Sequence, residues 1–193
     1  MWNKSSNRAK SIKPSAIRKF FDIPKDVISL GVGEPDFDAS PPTLEAGIQA
    51  LKDGKTHYTP TSGLLELRKA ISVYLYTSYG VSYDPEREIL LTVGASEALY
   101  LAVAALLDPG DEMIVITPCF VSYQGVILLA SGVPVEVPTR FENNFEIDVA
   151  AVEAAITPRT KGILLGFPSN PTGVVPSRET VQDLCDLALK YDL

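Results

Sequence analysis

The sequence predicts an α/β fold with a mostly parallel sheet wrapped by crossover helices. From Ile89 onward, short apolar runs alternate with segments of helical period, the pattern of strands joined by crossover helices. Runs such as Gly162 to Gly166 are apolar on both faces and flanked by glycine, as strands covered on both sides should be. With 46% apolar and 21% charged residues in 193, the chain has the composition of a globular domain with a substantial core.

Taken in order, residues 1 to 14 read as a mobile lead-in. A helical pattern follows at Ser15 to Phe21, then an extended run, Val27 to Val32, ended by Gly31, Gly33 and Pro35. A helix is predicted from Thr43, as its cap, to Lys52, with Gly54 just past its end. After the turn-rich Lys55 to Gly63, the residues Leu64, Leu67, Ile71, Tyr74 and Leu75 share one face at helical spacing. Strands are predicted at Ile89 to Val93, Met113 to Thr117, Val133 to Val137 and Gly162 to Gly166. Helices are predicted at Ser96 to Leu107, Ser122 to Ser131, Val149 to Ile156 and Arg178 to Lys190. Val181, Leu184, Cys185, Ala188 and Leu189 give the last of these a face to bury. No strand follows it, and a crossover helix normally leads to one, so the chain is expected to be part of a longer fold.

Several function classes are set aside by composition. The formal charge of -7 is spread without long acidic runs and with no basic stripe, which argues against a nucleic-acid partner. Met1 to Lys19 is polar and basic with no apolar core of signal-peptide length, so a cytoplasmic location is expected. The longest apolar run, Ala98 to Leu107, is about half of a membrane span and reads as a buried helix, so no membrane partner is expected. Cys119 and Cys185 lie far apart, outside any metal or disulfide spacing, and are expected to be buried small hydrophobes. His57 is the sole histidine, which removes His-based metal sites and hydrolases that need a His base. Any catalysis then needs a group from elsewhere.

Three strand-end turns carry the candidate chemistry. At Thr92 to Ala98, Gly94, Ala95 and the hydroxyl of Ser96 open a helix whose free N–H groups and dipole suit a phosphate; a plain helix cap is the competing reading. At Thr117 to Tyr123, Phe120 can stack on a flat ligand and Tyr123 can reach the same region, or Phe120 covers the sheet edge. At Phe167 to Gly173, Pro171 pushes Asn170 out of the helical region and Gly173 permits a left-handed turn, which aims an amide above the sheet unless the turn is an ordinary one. Carboxyl ends of strands are where open α/β sheets bind ligands. A planar, phosphorylated ligand satisfies all three turns at once.

With Ser29 to Phe37 (SLGVGEPDF), Tyr58 to Gly63 (YTPTSG), Gly94 to Ala98 (GASEA), Pro118 to Tyr123 (PCFVSY) and Asn170 to Gly173 (NPTG), the chain resembles the fold-type I pyridoxal-phosphate enzymes, specifically the class I/II aminotransferases. The motifs fall in the family's order over nearly the whole chain. The resemblance implies a three-layer sandwich, with residues 1–50 an N-terminal arm and part of a small domain and residues 51–193 part of the large cofactor domain. It implies that Gly94, Ala95 and Ser96 bind the phosphate of pyridoxal 5'-phosphate, that Phe120 stacks on its ring with Tyr123 beside it, and that Asn170 bonds its phenolic oxygen. Gly33 would serve the substrate carboxylate, and Tyr58 would reach the phosphate across a homodimer interface. Cis bonds are implied at Thr117-Pro118 and Asn170-Pro171. The family's Schiff-base lysine, its pyridine-nitrogen aspartate and its carboxylate-binding arginine have no match through Leu193. A parent enzyme is thus expected to move an amino group between an L-amino acid and a 2-oxo acid, and this piece alone is not. A carbon–sulfur lyase, an aminocyclopropane-carboxylate synthase or a non-catalytic fragment remain alternatives.

Overall fold

A computed structural model describes residues 4–12, 26–28, 33 and 35–193. Its described elements are α1 (Asn7–Ser11), α2 (Pro41–Lys52), α3 (Leu65–Tyr79), α4 (Ala95–Leu106), β1 (Glu112–Thr117), α5 (Ser122–Leu129), β2 (Val133–Pro138), α6 (Val149–Ala154), β3 (Thr160–Leu164) and α7 (Arg178–Tyr191). The chain divides into two compact units, Met1–Pro14 with Val93–Leu193, and Ser15–Thr92. The division expected at residue 50 falls inside the second unit. The helix expected at Ser15 to Phe21 and most of the run at Val27 to Val32 lie outside the described residues. In the lead-in, residues 4–12 hold α1, where Ser6 accepts the Ala9 N–H at 3.2 Å.

In the Ser15–Thr92 unit, Ser40 and not Thr43 is the cap residue of α2; Thr43 lies in the first turn, its hydroxyl 2.9 Å from that of Ser40. Pro41 and Pro42 suit this start, because the first helical N–H groups have no partner to lose. The inward side of α3 also differs from the apolar count. Arg68 is only 6% exposed, while Leu64, Leu67 and Tyr74 are largely exposed. Its guanidinium donates to the carbonyls of Gly63, Pro85 and Glu86, so a charged residue anchors the side that faces in. The strand expected at Ile89 to Val93 does not form. A strand needs a ladder partner, and here the Leu91 N–H goes to the Ser62 carbonyl at 3.1 Å.

In the other unit the sheet has the order β2-β1-β3, with both pairings parallel. β3 runs two residues earlier than expected, so Lys161 lies within it and Leu165 and Gly166 lie past its end. Central β1 is buried on both faces because alternate side chains feed separate cores. Ile114 and Ile116 join Val137, Ile147, Val152, Leu184 and Leu187 on the side of α6 and α7. Met113 and Val115 join Val103, Leu107, Val126 and Ile127 on the side of α4 and α5. This gives three layers, helices on both sides of one parallel sheet.

Three further expectations need correction. Only Val103 of α4 is buried, so the apolar run at Ala98 to Leu107 is not a buried helix here. On α7 the buried residues are Thr180, Leu184 and Leu187, while Val181 and Leu189 are exposed. Thr180 turns inward because its hydroxyl donates to Glu146 at 2.8 Å. Cys185 is exposed, while Cys119 is half-buried and packs against the core on the α4 and α5 side, so the expected burial holds only in part and only for Cys119.

At the amino end of β1, Glu112 is 4% exposed. Its carboxylate accepts from Thr157 Oγ1 at 2.6 Å, Arg159 Nη2 at 2.7 Å and Nε at 3.1 Å. These hydrogen bonds hold its pKa below the ordinary carboxylate range against the opposing effect of burial.

Candidate functional site

The site follows from topology. β1 and β3 are adjacent and parallel, but β1 is followed by α5 on one face of the sheet and β3 by α7 on the other. Their carboxyl-end loops therefore diverge and leave a crevice between them, the switch-point position of an open α/β sheet. An open cleft lies there. Phe120 and Tyr123 line it from the β1 side, and Asn170 and Thr172 from the β3 side.

The first turn begins at the cis bond Thr117-Pro118. The Phe120 carbonyl accepts the Tyr123 N–H at 3.0 Å, and the two rings meet edge to face with centroids 5.8 Å apart. Tyr123 then crosses toward the exit of β3. A Cβ on Gly166 would stand 2.0 Å from the Tyr123 hydroxyl, so the missing side chain is what admits the ring. In the second turn, Phe167-Pro168 and Asn170-Pro171 are both cis, the former unanticipated. The Ser169 N–H reaches the Val174 carbonyl at 2.9 Å and the Gly173 N–H reaches the Ser169 carbonyl at 2.7 Å. Gly173 takes φ +74°, the left-handed conformation expected of it. Asn170 is held at the exposed tip of this turn.

Gly94, φ +81°, is the cap residue of α4, and Ala95 and Ser96 are exposed at the helix start. No side chain caps this helix start, and the N–H groups of a first helical turn suit an anion. The Glu97 carboxylate folds back to accept the Val93 N–H. These residues are not part of the cleft lining. Gly33 and Tyr58 belong to the Ser15–Thr92 unit, where both are exposed.

Thr139, Phe145 and Ile147 also line the cleft, and the sequence reading missed them. They follow β2, where Asn144 and Phe145 both take positive φ, 55° and 57°. The pair Asn143-Asn144 was a usable signal, since asparagine tolerates the left-handed region and marks turns. Cys119 lines the same cleft; burial pushes its thiol pKa up, and the negative charge of Glu136 adds to this.

Comparison with known proteins gives a consistent result. Residues 25–193 match the family model for aminotransferase class I and II. The chain is 44% identical to the aspartate aminotransferase of Pyrococcus abyssi over 97% of its own length and 49% of that protein. It is 39% identical to aromatic-amino-acid aminotransferase 2 of Thermococcus litoralis, over 97% of this chain and 49% of that one. The solved Thermus thermophilus aspartate aminotransferase with maleate superposes with a TM-score of 0.92 at 41% identity, covering 100% of this chain and 52% of that one. The chain thus spans about half the length of the relatives it matches.

Proposed function

This chain belongs to the aminotransferase class I and II family, and from that premise we propose that the protein transfers an amino group between an L-amino acid and a 2-oxo acid, with pyridoxal 5'-phosphate as cofactor. The observation that carries the reading is the crevice where Phe120, Tyr123 and Asn170 line one space at the carboxyl ends of β1 and β3. The residues present fit that group in chemistry. They offer an aromatic face, a side-chain amide, and a helix start with no side-chain cap.

In this reading Gly94, Ala95 and Ser96 hold the phosphate, where the α4 dipole favours negative charge. Phe120 stacks on the pyridine ring with Tyr123 behind it, and the Asn170 amide donates to the phenolic oxygen. The Gly33 N–H and Asn170 bind the substrate carboxylate, and Tyr58 reaches the phosphate across a homodimer interface. When bound, the cofactor supplies the electron sink for removal of the amino acid's α-proton. Among the described residues no lysine lines the cleft, and Lys161 and Lys190 face Asp111 and Glu153. The attachment lysine is therefore assigned to other residues, and the 193-residue chain by itself is proposed to bind without turnover. Residues 51–193 are then part of the cofactor domain and residues 1–50 the arm with part of a small domain, in a cytoplasmic enzyme.

Calorimetric titration with pyridoxine 5'-phosphate tests the site, because this analogue lacks the aldehyde and does not react with surface lysines. We expect saturable binding that Asn170→Ala and Phe120→Ala each weaken. Binding that neither substitution changes would overturn the assignment. The names of the relatives make L-aspartate and aromatic amino acids the first donors to assay, by following ¹⁵N into a 2-oxo acid.

A further inference from the structure

We propose that Thr139 is a positioning residue for the Phe120 turn, an inference that rests on the cofactor reading above. Thr117 faces Pro138 in the register, and the ladder bond to its carbonyl comes from the next residue, at the same spacing as the Val133 N–H to the Asp111 carbonyl; Pro138 itself turns its N–H-less nitrogen to the open edge of the sheet. Thr139 makes this ladder bond and adds a second bond to the same acceptor. Its N–H and its side-chain hydroxyl both donate to the Thr117 carbonyl, at 2.8 Å and 2.9 Å. That carbonyl belongs to the residue from which the turn through Pro118 and Cys119 to Phe120 departs. Thr139 also lines the cleft beside Phe120, so its hydroxyl ties the wall of the site to the root of the stacking turn. A valine there would keep the backbone bond and lose the second one, freeing the turn while leaving Phe120, Tyr123 and Asn170 in place.

The test uses the 193-residue chain unaltered and as Thr139→Val and Thr139→Ser, with hydrogen exchange of Cys119 to Tyr123 and titrations of pyridoxine 5'-phosphate and inorganic phosphate. Thr139→Val should speed exchange in that turn by about fivefold, the ratio that one ordinary hydrogen bond is worth. It should weaken pyridoxine 5'-phosphate by a similar factor and leave inorganic phosphate unchanged, because the α4 start is built separately. Thr139→Ser, which keeps the hydroxyl, should restore both readouts. Unchanged exchange in the turn, equal weakening of both ligands, or failure of serine to rescue would each overturn the proposal. If the unaltered chain binds no pyridoxine 5'-phosphate while valine still loosens the turn, the cofactor reading falls and the positioning role stands.

Discussion

Gly166→Ala should destabilise the chain through a single contact, and the structure says how much. The added Cβ would lie 2.0 Å from the Tyr123 hydroxyl and 3.1 Å from its Cζ, where packed Cβ atoms keep at least 3.0 Å. The ring must retreat by about 1 Å, and overpacking of this size costs about 1–3 kcal/mol. An alanine also limits the unfolded chain, which returns about 0.4–1 kcal/mol. In Tyr123→Phe the hydroxyl is gone and the nearest remaining ring atom needs only a few tenths of an ångström, so the same Gly166→Ala change should be close to neutral. The unfolded-state contribution is common to both backgrounds and cancels in the cycle, leaving a coupling of about 1–3 kcal/mol. Urea unfolding followed by far-UV circular dichroism, with slopes compared, measures each corner. An equal cost of Gly166→Ala in both backgrounds would refute the claim that the Tyr123 hydroxyl decides this position.

Glu112 should make stability depend on acid. Its folded pKa lies below that of a free glutamate, about 4.3, so its contribution is complete above that pH and is lost as pH falls through the folded value. Glu112→Gln should flatten the fall in urea midpoint below about pH 4.3, and an unchanged profile would count against it. The exposed Glu153–Lys190 pair, 2.7 Å apart, shares that window but should fade with added salt, while buried Glu112 should not. Cys185 should react with iodoacetamide before Cys119, which is half-buried and has a raised thiol pKa; mass mapping at partial labelling decides the order. Ser177→Ala removes the acceptor of the Thr180 N–H at 3.0 Å and should cost about 1 kcal/mol in the same urea assay.

Features that depend on a residue and its immediate neighbours were legible. The glycine at 173 adopts the left-handed turn expected of it, and the bonds before Pro118 and Pro171 are cis as the resemblance implies. β1 and β2 fall within a residue of their expected limits. Helix faces were less legible. Counting apolar side chains put Leu64, Leu67, Ile71, Tyr74 and Leu75 on one face of α3; Ile71 and Leu75 are half-buried and the other three exposed, while the buried residue is Arg68, whose guanidinium donates to three carbonyls. Thr180 on α7 is the same case, turned in by the Glu146 carboxylate. Hydropathy assigns such residues to solvent since it counts their polarity and not their partners.

The chain's own sequence determined the α/β alternation and the Pro, Gly and Asn turns that carry Phe120 and Asn170. Each is set by backbone sterics and side-chain period over a few residues, which need no distant partner. The run read as covered on both faces, Gly162 to Gly166, instead overlaps half-buried β3 and not central β1. Tertiary structure alone decided that β3 pairs with β1 opposite β2, so that the crevice opens between the Phe120 and Asn170 turns. It also decided that Ile89 to Val93 forms no strand, that Gly166 must lack a side chain, and that Thr139 reaches the Thr117 carbonyl. These follow from which segments meet across the sheet, a relation between residues far apart in the chain.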